Sequence, residues 1–407
     1  MALELYVHIP FCIKKCGYCD FVSAPAGKGR QDAYMEALRL EICRRAEIFR
    51  EKDGFLGQEP VVSVFFGGGT PSVAEASQIE KTMSCIRREF VVAEDAEITL
   101  EANPGTLTSQ KLSCYRRAGI NRLSIGLQSA NDRELALLGR IHTFAEFKES
   151  YRLAREAGFQ NINVDLMAAL PGQTVESFTQ SLQAVTGLSP GPEHISVYSL
   201  IIEEGTPFFS KYHRQAAARE EGEKDCAPLP SEEAERAMYG ETGRFLGTYG
   251  YERYEISNYA RPGFSCRHNV GYWTGTPYLG FGISAASYTG KERFSNTHSM
   301  EEYLKAAGEP GGPDFKTIQK EEETVTKARA MEEFMFLGLR MICGVSEQEF
   351  EKRFGRKMKD VYGEILEEME RKDLMGQKFS EGEKGIRWYL TRKGIDVSNY
   401  VLAEFLF

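Results

Sequence analysis

Three thiols fall within eight residues of one another. Cys12, Cys16 and Cys19 are spaced C-x₃-C-x₂-C, directly after the apolar run Leu5-Tyr6-Val7-His8-Ile9. That run reads as a buried strand, so the thiol loop is rooted in a core. Thiolates are soft ligands, and several in a short loop suit iron–sulfur or zinc. The set stops at three. A four-iron cluster held this way would keep one iron free of protein, able to bind a small molecule and pass it an electron. Structural zinc is the competing reading, and it needs four ligands, usually as two pairs. Cys43, Cys85, Cys114, Cys226, Cys266 and Cys343 are scattered singly, and His8, which would complete a Cys₃His set, lies on the strand four residues before Cys12. A redox pair is the third reading.

A second chemistry-bearing stretch is Gly67-Gly68-Gly69-Thr70-Pro71, at the end of the apolar run 61–66. Glycine removes the Cβ that would block a ligand from the backbone, and it tolerates positive φ. No lysine precedes Thr70, which sets aside a Walker phosphate loop and leaves a plain tight turn as the structural alternative.

The elements that must position these groups alternate. Strands are expected at 3–9, 61–66, 97–101, 122–127, 161–167 and 195–200, with helices at 31–51, 75–89, 109–118, 143–157 and one ending at Val185. Strand–helix alternation implies parallel strands joined by right-handed crossovers. Six such units make an α/β fold of a partial, TIM-like (βα)₆ barrel rather than a closed eight-stranded one. Functional groups in such sheets collect at the carboxyl ends of the strands. The thiol loop, the triple glycine, Glu101, Gln128 and Asp165 lie there.

Beyond the sixth strand the pattern weakens. Residues 206–231 read as a loop with a charged segment at 214–225, followed by a helix at 232–246, a strand at 251–256 and an aromatic, glycine-rich loop at 262–273. A linker is expected at 308–313. The rest is mostly helical, with helices at 331–341, after Ser346 and at 358–372, and a strand near 386–390. That order suggests a smaller winged-helix-like domain over 310–407, after a barrel and its α/β extension over 1–300.

The chain has 407 residues, 42% hydrophobic and 27% charged, as expected of a globular protein with more than one core. A formal net charge of −9 argues against a broad nucleic-acid surface. There is no signal-peptide pattern and no apolar run of membrane-spanning length, and the nine cysteines lack a disulfide framework. A cytoplasmic location is expected.

Cys12, Cys16 and Cys19 followed by Gly67 to Pro71 resemble the radical S-adenosylmethionine superfamily. Within it the chain resembles the oxygen-independent coproporphyrinogen III oxidase family along nearly its whole length. Glu101-Ala102-Asn103-Pro104-Gly105, Ser124-Ile125-Gly126-Leu127-Gln128, Gly139-Arg140-Ile141-His142 and Asp165-Leu166-Met167 before Leu170-Pro171 match in order and spacing. The chain is most similar to the haem chaperone, HemW-like branch. It starts at the first strand without the oxidase's N-terminal arm. Phe21 stands where the oxidase carries a further cysteine, and His268-Asn269-Val270-Gly271-Tyr272-Trp273 fits the pattern H-N-x-x-Y-W. One departure is Ile283-Ser284-Ala285 after Gly282, where that branch continues with glycine and histidine.

The resemblance implies a [4Fe–4S] cluster on Cys12, Cys16 and Cys19. Its open iron would chelate the amino and carboxylate groups of S-adenosylmethionine, and reduction would release a 5′-deoxyadenosyl radical. Tyr6, Tyr18, Gly68, Gly69, Thr70 and Glu101 would line that site. Gln128, Arg140 and Asp165 match positions that bind a second S-adenosylmethionine in the oxidase; for Arg140 and Asp165 a structural ion pair is an equal alternative. His268 would ligate haem, with Cys266 as the thiolate alternative. The implied partners are haem, acceptor haemoproteins and an electron donor. A homodimer and peripheral membrane contact through the acceptors stay open, and nucleic acid is not expected. Three activities compete: a haem chaperone, a coproporphyrinogen III oxidase, and a radical enzyme that modifies haem.

Overall fold

The expected strands form one parallel arc in the computed structural model, which describes residues 2–52, 59–218, 227–309, 312–382 and 385–406. In chain order the first half runs β1 (Leu3–Ile9), α1 (Lys28–Lys52), β2 (Val61–Gly68), α2 (Ala76–Glu89), β3 (Val92–Ala102), α3 (Ser109–Ala118), β4 (Arg122–Gln128), α4 (Asp132–Leu138), α5 (Phe144–Glu156), β5 (Ile162–Ala168), α6 (Val175–Thr186) and β6 (His194–Ser199). Each strand from β1 to β6 pairs parallel with the next. Strands covered on both faces read as continuous apolar runs, and Leu3, Leu5, Val7 and Ile9 of β1 are all fully buried. Helix starts follow side-chain caps: Thr143 and Glu146 make a reciprocal capping box at α5.

The second half departs from expectation in four places. Residues 206–231 do not form a single loop. Helix α7 (Pro207–Ala218) occupies the first part, begun by Pro207 and by Phe209 N–H donating to Thr206 Oγ1 at 3.1 Å. Among the described residues Phe208 and Tyr212 of it enter a small apolar cluster, a stripe too thin to show as periodicity. The charged segment lies mostly outside the described residues, as do Cys226 and part of the expected linker. Helix α8 (Glu232–Thr248) follows as expected. The strand expected at 251–256 shrinks to β7 (Glu252–Arg253), which pairs with β8 (Asn258–Ala260) on the edge beyond β6.

The aromatic loop expected at 262–273 instead contains a helix, α9 (Arg267–Thr274). Its interior glycine lowers helix propensity, and tertiary packing explains it: a Cβ on Gly271 would lie 2.1 Å from Glu4 Oε1. The short strands β9 (Tyr278–Phe281), β10 (Ala286–Tyr288) and β11 (Glu292–Asn296) were not expected either. Strand β9 pairs parallel with β1, so the arc continues beyond its first strand. Ile283, where the chaperone branch carries its Gly–His, is 2% exposed and donates its N–H to Tyr34 Oη at 3.1 Å. After α10 (Met300–Ala307), strand β12 (Gln319–Thr324) completes a twelve-stranded sheet.

A second core begins at α11 (Lys327–Gly338) and holds β13 (Val345–Ser346), α12 (Glu347–Phe354), α13 (Met358–Arg371), β14 (Met375–Ser380), β15 (Gly385–Leu390), α14 (Arg392–Asp396) and α15 (Ser398–Ala403). Its three-stranded antiparallel sheet, ordered β13-β15-β14, supplies the wing. Among the described residues no helix is long and apolar enough to cross a membrane.

Candidate functional site at the barrel mouth

The thiol loop leaves β1 at Pro10 and is tied down at three points. Cys12 N–H donates to Ala24 O at 3.3 Å, Gly17 N–H to Leu138 O at 3.2 Å, and Phe208 N–H to Gly17 O at 2.9 Å. The last tie comes from α7. Phe11 is buried and meets the Tyr34 ring edge-on at 5.3 Å. The three cysteines remain partly exposed. Cys12 Sγ lies 3.6 Å from Thr70 Oγ1, and Arg140 Nη1 lies 3.7 Å from Cys16 Sγ. Burial raises the Cys19 thiol above its usual range. Among the described residues no group of three His, Cys, Asp or Glu converges on a single metal-ion position. A mononuclear zinc site needs such convergence. A cluster does not, because each thiolate takes a different iron.

The triple glycine closes one wall. Gly69 N–H donates to Ile9 O at 2.9 Å and Thr70 N–H to Phe11 O at 2.7 Å, which draws the turn onto the root of the thiol loop. A Cβ on Gly69 would lie 2.8 Å from Phe11 O and 3.0 Å from Ile9 O, both backbone atoms that cannot swing aside. Gly69→Ala is therefore expected to shift the turn. We expect a loss of about 1–3 kcal/mol in a urea melt, together with loss of the change that S-adenosylmethionine makes to the cluster's resonance spectrum.

The cavity at this mouth, about 420 Å³, is lined by all three cysteines and by Tyr18, Gly68, Gly69, Thr70, Glu101, Gln128, Arg140 and Asp165. Burial, then the nearby Asp165, push Glu101 up to about 8. Burial also raises Asp165, although Asn163 Nδ2 donates to its Oδ1 at 2.7 Å and Ser124 Oγ to its Oδ2 at 3.1 Å. Arg140 donates to Asn103 Oδ1 at 2.9 Å and to Gly126 O, while its Nε–H is buried without a partner. Gln128 has φ of 72°, a left-handed conformation that only surrounding contacts hold in a non-glycine residue. Asn103, Ser124 and Tyr198 also line the cavity; the first two stand in motifs quoted above but were given no role there. The available signal was position for Asn103, just past β3, and Tyr198, in the last part of β6; Ser124 lies early in β4. Soft donors, a backbone cradle and an unpartnered guanidinium N–H fit an anionic cluster with a polar cofactor beside it.

Two expected residues lie elsewhere. Tyr6 is not on the cavity wall; its hydroxyl meets His8 Nδ1 at 3.2 Å, and its ring stacks on Phe65 and His268. His268 is 2% exposed inside the barrel, at the end where the strands begin. Its Nδ1 shares a 2.8 Å hydrogen bond with Ser63 and lies 3.6 Å from Glu4 Oε2, while Nε2 has no partner. Cys266 is likewise buried, with Sγ 3.3 Å from Glu97. Both are buried, so a porphyrin would reach neither unless the side chains packed around them moved. The motif's histidine plugs the bottom of the barrel.

That burial has a pH signature. Burial, then Arg122, lower His268 to about 3, whereas an unfolded histidine takes up its proton near 6.5. The unfolded chain then binds the extra proton. Stability is expected to fall as pH drops from about 6.5 toward 3, by up to about 1.4 kcal/mol per unit. In His268→Asn, urea midpoints between pH 7.5 and 5 should show one proton's worth less slope.

A family model described as the radical SAM superfamily matches residues 6–185. One described as the HemN C-terminal domain matches residues 325–397. The heme chaperone HemW of Bacillus subtilis is 36% identical over 98% of each chain. The chain belongs to the HemW family of radical SAM proteins. Heme chaperone HemW of Haemophilus influenzae is 35% identical over 99% of this chain and 98% of its own. Heme chaperone HemW of Escherichia coli is 37% identical over 70% and 69%. A solved radical SAM enzyme, the coproporphyrinogen III oxidase HemN of Escherichia coli, superposes with a TM-score of 0.78, at 27% identity over 99% of this chain and 89% of that one. The radical SAM match takes in every mouth residue from Cys12 to Asp165, and radical SAM membership implies a [4Fe–4S] cluster and S-adenosylmethionine. The helix α9 that carries the HemW-like H-N-x-x-Y-W pattern lies in neither matched segment.

Proposed function

We propose that this chain is a haem chaperone that binds haem and passes it to acceptor haemoproteins, carrying at its barrel mouth a [4Fe–4S] cluster with an exchangeable S-adenosylmethionine. The observation that carries the reading is the likeness to heme chaperone HemW proteins along the whole chain, 98% of it and 98% of the Bacillus subtilis relative. Cys12, Cys16 and Cys19 would hold the cluster, which when bound supplies one electron at a time and an open iron.

The chain's own residues do the rest. Gly68 and Gly69 let S-adenosylmethionine lie against backbone, and Thr70, tied to Cys12 and to Asn103 Nδ2 at 2.8 Å, sets the wall's position. Glu101 accepts hydrogen bonds from the ligand's polar groups, and Tyr18 and Gln128 border it. Arg140 beside Cys16 offsets the cluster's negative charge, and Asp165 balances Arg140. Tyr6, outside the cavity, positions the wall through Phe65. Haem, an acceptor haemoprotein and an electron donor are the proposed partners.

The test follows haem and 5′-deoxyadenosine together in anaerobic, cluster-loaded protein. Equimolar haem binding, transfer to an apo-haemoprotein and no cleavage of S-adenosylmethionine tied to porphyrin turnover are expected. Failure to bind haem would reject the reading. The second reading, a coproporphyrinogen III oxidase, is favoured by Gln128, Arg140 and Asp165 sharing the one cavity. Anaerobic conversion of coproporphyrinogen III to a divinyl product would establish it instead.

A further inference from the structure

We infer that haem is held away from the barrel mouth, in the cavity between α9 and α11. This rests on the reading that haem is the cargo, and adds where it sits. The cavity measures about 400 Å³ and shares no lining residue with the one at the mouth. That size is ordinary for a small-molecule site.

Its walls are of two kinds. Tyr272, Trp273, Tyr288 and Phe334 present aromatic rings from α9, β10 and α11. Flat rings of this kind suit a flat conjugated ligand by stacking. The polar lining holds four arginines against two glutamates, a local cationic excess in a chain whose net charge is −9. Arg293 spends its charge on Glu333, at 2.8 and 3.0 Å. Among the described residues Arg353 has no carboxylate partner; its Nη2 reaches only Tyr288 Oη, at 3.5 Å. A guanidinium free of carboxylate at the edge of an aromatic slot is a ready anchor for a ligand's own carboxylate. One buried donor on the wall, Trp273 Nε1–H, also lacks a partner, and the Arg340 guanidinium stacks 4.3 Å from its indole centroid. A planar, conjugated dicarboxylate answers all three features, and haem is one.

The same helix then explains both halves of the H-N-x-x-Y-W pattern. His268 turns into the barrel and locks α9 in place, while Tyr272 and Trp273, four and five residues later, line the cavity. The motif serves haem by position rather than through its histidine.

The experiment titrates ferric haem into the full, cluster-loaded chain under anaerobic conditions and follows the Soret band. Arg353→Glu, at an exposed position, is expected to weaken binding about tenfold or more. Ala330→Trp, which fills the cavity, is expected to abolish it. Both should keep the iron content and the response of the cluster's resonance spectrum to S-adenosylmethionine, which reports folding at the mouth. Saturating S-adenosylmethionine should leave haem affinity unchanged. Variants that bind haem as the unaltered chain does, or haem displaced by S-adenosylmethionine, would overturn this location while leaving the chaperone reading intact. An unaltered chain that binds no haem would overturn both.

Discussion

Anaerobically reconstituted Cys16→Ser protein is expected to hold under about one iron per chain, against about four for the unaltered chain. Two things depend on Cys16. On the proposed reading it supplies one of the three cluster thiolates, and it faces the Arg140 guanidinium at 3.7 Å. Serine keeps the shape but offers a hard, poorly ionised oxygen to a soft metal. Loss of the cluster's charge also leaves Arg140 buried beside a neutral hydroxyl. Cys12→Ser and Cys19→Ser should lose iron equally, whereas Cys43→Ser, Cys114→Ser and Cys343→Ser should not. Iron and sulfide assays with resonance spectroscopy decide it. Full iron content in any of the three loop variants would assign the centre elsewhere.

S-adenosylmethionine affinity in Glu101→Gln is expected to fall by about ten- to a hundredfold at pH 8.5, the range set by hydrogen bonds to a charged group, and its pH dependence should flatten. The carboxyl of Glu101 is raised to about 8 by burial and by Asp165. A cationic sulfonium ligand favours the carboxylate, so binding expels the proton below that pH. Affinity should therefore rise with pH by up to about tenfold per unit and level off above about 8. The ligand's own amino group titrates nearby, but identically with both proteins, so the difference between the two curves belongs to Glu101. Without ligand the sign reverses for stability. The folded chain keeps a proton that the unfolded chain releases near 4.5, so this term stabilises below that pH and is lost as pH rises through about 8. Calorimetry at pH 6.5 to 8.5 reads the first effect. Equal slopes in the two proteins would remove Glu101 from the site.

How much of this was legible differs from residue to residue, for one physical reason. The barrel strands are buried on both faces, so their identity is written as unbroken apolar runs, and the site lies where those runs stop. Cys12, Gly69, Glu101 and Asp165 could be found by reading along the chain, because each is fixed by its own strand. Spacing and residue type were enough to place three soft donors and a backbone cradle at one rim, while the preference for a cluster over zinc or a redox pair came with the family resemblance.

Tertiary structure decided the rest. Helix α7 and helix α9 have weak local signals because the first buries only a thin stripe and the second carries Gly271, packed on Glu4. Strand β9 is four residues long and joins the sheet only because β1 offers it an edge. His268 is the clearest case. The family pattern implies a ligand there, and no local pattern states that Ser63, Glu4 and Phe65, from two distant strands, close around it. Burial is a property of the assembled surface, set by what packs opposite, and a sequence read in order carries no record of the opposite side.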